Sequence, residues 1–378
     1  MRVLIYTSSS GTAHDAAAEA IAEWLKILAP TVEVKIDSVL ENASWVARAG
    51  TDLYNWIQRR APWLHQIYWR LLEFEDHAKP GTVIYGHRYL VRTLRSQGPD
   101  LLISTHPHIN RGHFDLAKRV VGTQLRCVTC CTELDGGFGF TRNWVSPKAD
   151  GFWAITEEVA EEVRHRGYPP ERIAVLGPLL HPPFHDDQRL TSLESSSDPP
   201  VLPLLVLGSG SNGANNHEAQ LNALLPFSGR LRVVALCGKR AGVVEQLHDW
   251  ARAHPGLPVQ ALGFQGPAEM VELYREAWAM VARPGARTAT EALALGCPLI
   301  FNCHGVTMPQ ELLALRYFQA RDLQLSIRKP GDLANHVGRL LDDPAAYHAW
   351  RQRYSKARLS SDPLAVVRYL LPDALMQV

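Results

Sequence analysis

Short apolar runs recur along the chain, each followed by small or polar residues and then by a stretch whose apolar positions fall three and four apart. Arg2-Val-Leu-Ile-Tyr-Thr7 reads as a strand, residues 15–28 as an amphipathic helix, and Val32-Glu-Val-Lys-Ile-Asp37 as a second strand. A strand, a helix and a returning strand make a βαβ unit, which requires a parallel sheet. The alternation continues with strands at 100–105, 125–132 and 151–156, and the run 171–177 closes the first half. A second series begins at 204–208 and adds strands at 232–238, at 259–264 and at the start of the stretch 279–298, with helices between them and a mostly helical end over 345–369. The pattern predicts an α/β fold with doubly wound sheets.

Residues 182–200 interrupt it, being rich in Pro, Asp and Ser without apolar periodicity. The expected division is an N-terminal domain over 1–185, a linker over 186–200, a second domain over 201–350 and a helical segment over 351–378 that is free to pack back on the first domain. A chain of 378 residues suits two cores. Its formal net charge of +1 gives no global pull towards nucleic acid. Six cysteines scattered through apolar runs, with no signal peptide, predict reduced thiols in the cytoplasm. No apolar run is long enough to span a bilayer, so membrane contact is expected to be peripheral.

Residues 279–298 hold the densest candidate chemistry. They read as a buried strand, a turn at Pro284 and Gly285, and a short helix stopped by Gly296 and Pro298. Gly285 permits close backbone approach, Thr288 is placed to cap the helix, and the free N–H groups with the helix dipole suit a phosphate. The same residues also fit a structural capping box, with Glu291 reaching back to the Thr288 N–H.

Other candidates take their meaning from position. His14 stands at the first strand-to-helix turn, at the carboxyl edge where open sheets bind ligands, and is either a base or a packing residue. The loop before it lacks the G-x-G-x-x-G of a dinucleotide site, although Asp37 lies where a ribose-binding acid would. His106-Pro-His108, with His113 beyond, lacks a supporting carboxylate or thiol for zinc, and Cys127 and Cys130 sit in a buried strand without a second pair. Glu133 and Asp135 belong to a glycine-rich loop that fits a substrate segment as well as an acidic metal pair. The loop 209–214 offers backbone N–H groups, and otherwise is a plain turn. Between 45 and 74, Trp45, Trp56, Trp63 and Trp69 are interleaved with Arg48, Arg59, Arg60 and Arg70. That mixture suits either a bilayer interface or a helical insertion with its rings packed inward.

Two Rossmann-like halves with these motifs resemble the GT-B glycosyltransferases, and in particular family 28. Gly210-Ser-Asn-Gly-Ala214 resembles the G-S-x-G-A loop of the transferase that completes lipid II. Arg283-Pro-Gly-Ala-Arg-Thr-Ala-Thr-Glu291 resembles the family's nucleotide-sugar turn, and Pro309-Gln-Glu311 its downstream element. The first half is more similar to monogalactosyldiacylglycerol synthases and processive diacylglycerol glucosyltransferases. Gly11-Thr-Ala-His14, Ser104-Thr-His-Pro107, Thr132-Glu-Leu134, Trp144 and the run 169–178 match in the same order. Ser9, Glu133, Thr141 and Ala314 depart from those patterns.

The resemblance implies a cleft between two domains, with an acceptor site in the first and a UDP-sugar site in the second. By it, Gly210, Ser211 and Gly213 would contact the phosphate or the sugar of the donor, the turn with Pro284, Gly285, Arg287 and Thr288 would take the diphosphate, Gly263 and Phe264 would frame the uracil, Glu291 would bond the ribose, and Gln310 and Glu311 the sugar. His14, or an acid such as Glu133, would take the acceptor proton. His106, Trp144 and the 45–74 region would face the acceptor or an anionic membrane on the cytoplasmic side. An inverting hexosyl transfer to a lipid such as diacylglycerol is the expected reaction, with no cofactor or metal beyond the UDP-sugar. The donor domain would equally serve an N-acetylglucosaminyltransferase of cell-wall type, a UDP-sugar epimerase or a non-catalytic nucleotide-sugar sensor.

Overall fold

The computed structural model describes residues 1–9, 12–43, 48–49, 53, 86–185, 202–208 and 216–372. The chain divides into two compact units, Met1–Pro182 with Met308–Ala314 and Ser360–Val378, and Pro183–Thr307 with Leu315–Leu359.

The first unit holds the strands β1 (Arg2–Thr7), β2 (Glu33–Ser38), β3 (Leu101–Ser104), β4 (Arg126–Cys130), β5 (Gly151–Ala154) and β6 (Ile173–Val175). They form a six-stranded sheet in the order β2-β1-β3-β4-β5-β6, with every pairing parallel. Helices cover both faces, so the inner strands read as apolar runs, whereas the edge strand β2 alternates and is only partly buried. Leu4 and Tyr6 pack on one face with Leu102, Cys127 and Phe152. Val3 and Ile5 pack on the other with Leu101, Ile103, Val128 and Trp153. The helix Thr12–Leu28 covers this second face together with the helix Pro363–Leu370, whose Val366, Val367 and Leu370 are fully buried. Arg126 fixes the end of the latter helix by donating to the carbonyls of Tyr369 and Leu370, at 2.7 and 2.6 Å. A guanidinium there satisfies orphan carbonyls and meets the negative end of the helix dipole.

The second unit holds β7 (Leu204–Leu207), β8 (Arg232–Leu236), β9 (Val259–Leu262), β10 (Ala279–Ala282), β11 (Leu299–Asn302) and β12 (Leu325–Ile327). Their order is β12-β11-β10-β7-β8-β9, again with every pairing parallel. The helix Pro344–Lys356 is tied to this unit by buried polar tips: Trp350 Nε1 donates to Leu323 O at 3.0 Å, and Leu299 N donates to the Tyr354 hydroxyl at 3.0 Å. Such rings bury a large apolar area while their one polar atom finds a partner.

Each sheet reverses its winding once, between β1 and β3 in the first and between β7 and β10 in the second. Loops leaving neighbouring strands part at such a point and leave a crevice at the carboxyl edge. Among the described residues, His14, His106, Glu133, Gly263, Phe264, Pro284 and Gly285 follow strand ends at these two edges.

Candidate active site

In the first unit, the register that sets Tyr6 beside both Asp37 and Ser104 brings three strand ends level. His14 lies in the first turn of the helix that follows β1. Its Nδ1 is 2.8 Å from the carbonyl oxygen of Thr105, just past β3, and 3.3 Å from Thr132 Oγ1, past β4. A carbonyl only accepts, so Nδ1 carries the proton and the ring's lone pair resides on Nε2. Burial lowers the His14 pKa to about 4, against the opposing pull of the Thr105 hydrogen bond and the Asp15 charge. The positive end of the helix dipole acts in the same direction as burial. At neutral pH the ring is therefore uncharged, oriented and able to accept a proton.

The surrounding wall is polar and packed. His106 is buried and meets the His14 ring edge-on at 4.5 Å, and its Nδ1 accepts the backbone N–H of His108 at 3.2 Å. Trp144 is fully buried with its ring 5.9 Å from that of His14, so it packs near the histidine and not at the surface. Glu133 is also buried, and desolvation raises its pKa to about 8. It is mostly protonated at neutral pH. Glu41 was not singled out from the sequence, yet its Oε1 accepts both Ser8 Oγ and Ser9 N at 2.9 Å, clamping the start of the turn that leads to His14. Asp37 accepts from Asn42 and Tyr89 and is buried, a structural role.

In the second unit, Gly208 follows β7 and its N–H donates to Val281 O at 2.7 Å. A Cβ there would lie 3.2 Å from that oxygen and 3.4 Å from the Ala282 Cβ, so the close approach of the two strand ends favours glycine. After β10, Pro284 and Gly285 turn the chain into the helix Ala286–Leu295. Gly285 is the N-cap, no side chain caps the terminus, and nothing lies within 4 Å of where a Gly285 Cβ would be.

This corrects the expectation for Thr288, which lies inside the helix and caps nothing. The capping box is absent with it. Glu291 is buried and instead accepts Arg287 Nε on Oε1 at 2.7 Å and the Tyr274 hydroxyl on Oε2 at 3.0 Å. Beyond β9, Gly263 leads to Phe264, which is 56% exposed and has Lys239 Nζ 5.6 Å from its ring centre. An exposed ring beside a cation is a ready stacking surface for an aromatic base.

Gln310 and Glu311 lie in the segment grouped with the first unit. Glu311 is buried and its Oε2 accepts Met308 N at 2.8 Å, while Gln310 Nε2 lies 3.6 Å from Met308 Sδ. Pro309 is packed so tightly against Gly139, whose φ is +102°, that a Cβ at 139 would stand 2.1 Å from the Pro309 oxygen. Gly210, Ser211, Gly213, Trp45, Trp56, Arg59, Arg60, Trp63 and Trp69 lie outside the described residues. Among the described residues no group of three His, Cys, Asp or Glu is placed to hold a metal ion, and no helix is long and apolar enough to cross a membrane.

The model of monogalactosyldiacylglycerol (MGDG) synthase matches residues 14–179, and that of the glycosyltransferase family 28 C-terminal domain matches residues 204–304. A processive diacylglycerol beta-glucosyltransferase of Bacillus subtilis (strain 168) is 22% identical over 382 residues, covering 99% of this chain and 96% of its own. The chloroplastic monogalactosyldiacylglycerol synthase of Spinacia oleracea is 25% identical over 361 residues, covering 89% of this chain and 65% of its own. Among solved structures, MurG of Acinetobacter baumannii superposes with a TM-score of 0.62 at 17% identity, covering 98% of this chain and 99% of its own. The UDP-GlcNAc 2-epimerase of Neisseria meningitidis bound to UDP-GlcNAc gives 0.56 at 13% identity, with both chains fully covered. At such identities the superpositions establish the fold alone, which is GT-B with two Rossmann-like domains. A stretch that matches MGDG synthase is thus followed by one that matches the family 28 C-terminal domain, and the chain is a glycosyltransferase enzyme.

Proposed function

We propose that the protein transfers a hexose, galactose or glucose, from a UDP-sugar to the hydroxyl of a membrane lipid such as diacylglycerol, with inversion at the anomeric carbon. The observation that carries this reading is a neutral, oriented His14 at the switch point of a domain that matches MGDG synthase. The acceptor hydroxyl gives its proton to His14 Nε2 as its oxygen bonds to the anomeric carbon. On the opposite side the bond to UDP breaks, and its electron pair leaves with the diphosphate.

In the second unit the uncapped start of the helix Ala286–Leu295 and the Arg287 guanidinium offer donors to that growing charge. Glu291 would hold the ribose and Phe264 the uracil. Relatives named for diacylglycerol and neighbours solved with UDP or UDP-glucose support both halves of the reading. The chemistry asks for no cofactor or metal. The aromatic and basic composition of residues 45–74 supports peripheral docking on the anionic, cytoplasmic face of a membrane.

Calorimetric titration with UDP followed by turnover on lipid vesicles tests the proposal. Glu291→Ala is expected to abolish UDP binding. Tight UDP binding by the unaltered protein, without UDP-sugar turnover on any acceptor, would replace the transferase reading with that of a nucleotide-sugar sensor.

A further inference from the structure

We propose that Tyr274 is a positioning residue that fixes the Glu291 carboxylate to receive a ribose cis-diol and thereby sets a preference for ribonucleotides over 2′-deoxyribonucleotides. The inference rests on the assignment of Glu291 to the ribose. Tyr274 lies on the helix Pro267–Glu276 and Glu291 on the helix Ala286–Leu295, and both side chains are buried. The phenol donates to Oε2 at 3.0 Å, while Arg287, one turn earlier on the same helix as Glu291, donates to Oε1 at 2.7 Å.

The arithmetic of lone pairs gives the pair its meaning. An ionised carboxylate offers about four acceptor positions, two on each oxygen. Among the described residues one on each is occupied, which leaves one on each for two adjacent hydroxyls. With only one oxygen tethered, the carboxylate would turn about its last torsion, which has a broad energy well. With both tethered, its plane is set before the ligand arrives, and less freedom is lost on binding.

The donor at this position is permanent. Burial, followed by the charge of Glu291, pushes the Tyr274 phenol far above its ordinary range, so it keeps its proton wherever the protein is folded. The Phe184 ring is centred 6.2 Å from that of Tyr274 and tilted to it.

The test is calorimetry on the full chain with UDP and 2′-deoxy-UDP, using the unaltered protein, Tyr274→Phe and Tyr274→Met, with folding checked by thermal melting. The unaltered protein is expected to prefer UDP by about tenfold or more, as befits a hydrogen bond to a charged acceptor. In either folded variant the ratio should fall to about two- or threefold, with the affinity for 2′-deoxy-UDP nearly unchanged. A variant that folds and keeps the full ratio overturns the role of Tyr274. Equal binding of the two nucleotides by the unaltered protein overturns the ribose assignment itself.

Discussion

The Nδ1 of His14 lies 2.8 Å from the carbonyl oxygen of Thr105, which fixes the tautomer of the imidazole and leaves Nε2 as its basic nitrogen. A buried neutral histidine with a pKa of about 4 and a buried glutamate with a pKa of about 8 give opposite signatures in a pH profile. If His14 is the base, turnover is level through neutral pH and falls only as pH drops towards 4. If Glu133 is the base, turnover climbs with pH through 8. The first profile is expected, and His14→Ala should lower kcat by about a hundredfold or more with UDP affinity kept. Unchanged turnover in that variant would remove His14 from the mechanism.

Glu133 is expected to reveal itself in stability. Its folded pKa of about 8 stands above an unfolded value near 4.5, so its neutral burial contributes fully below the unfolded pKa and is lost as pH rises through the folded one. The loss is about 1.4 kcal/mol per pH unit at most. Glu133→Gln cannot ionise. Thermal melts from pH 5 to 8 should therefore show the variant gaining on the unaltered protein as pH rises, and parallel curves would place Glu133 in contact with solvent.

Two glycines separate backbone strain from crowding. Gly139 has φ +102° and its missing Cβ would strike the Pro309 oxygen, whereas Gly229 has φ +74° with nothing within 4 Å. Gly229→Ala should cost about 1 kcal/mol, the strain of a left-handed residue. Gly139→Ala should cost clearly more in urea unfolding, because the chain at Pro309 must move as well. Equal costs would contradict the close packing of the two segments.

Gly285 offers a trade between stability and binding. The helix it starts has no side-chain cap, and there is room for one. Gly285→Ser should stabilise the fold by a few tenths of a kcal/mol, since glycine is itself a fair N-cap. If the terminus serves the UDP diphosphate, the new hydroxyl competes for the same N–H groups, and UDP affinity should fall. A stabilised variant with unchanged affinity would separate that helix end from the nucleotide.

The architecture was legible because both sheets are parallel and their inner strands are buried on both faces, so these appear as apolar runs that stand out from the amphipathic helices. The strands β11 and β12 were not singled out. Leu299-Ile-Phe301 follows Pro298 so closely that it merges with the helix stop, and β12 is only three residues long. The turn at Pro284 and Gly285 and the helix stop at Gly296, a left-handed C-cap, were also plain in the sequence. Side-chain partnerships were hidden, because they join residues distant along the chain. Tyr274 meets Glu291 across two helices, and Glu41 reaches Ser8 and Ser9 from beyond the neighbouring strand. Thr288 misled for a local reason: the spacing of a capping box is present, but the helix begins earlier, at Ala286.

The most direct test of the account is a transfer assay with UDP-galactose and UDP-glucose on vesicles containing diacylglycerol, with the lipid products identified by mass spectrometry and their anomeric linkage by nuclear magnetic resonance. A hexosyl-diacylglycerol with a β linkage formed from an α-linked donor is expected, and its loss in His14→Ala. Intact UDP-sugar and unmodified lipid after incubation with folded, UDP-binding protein would contradict it.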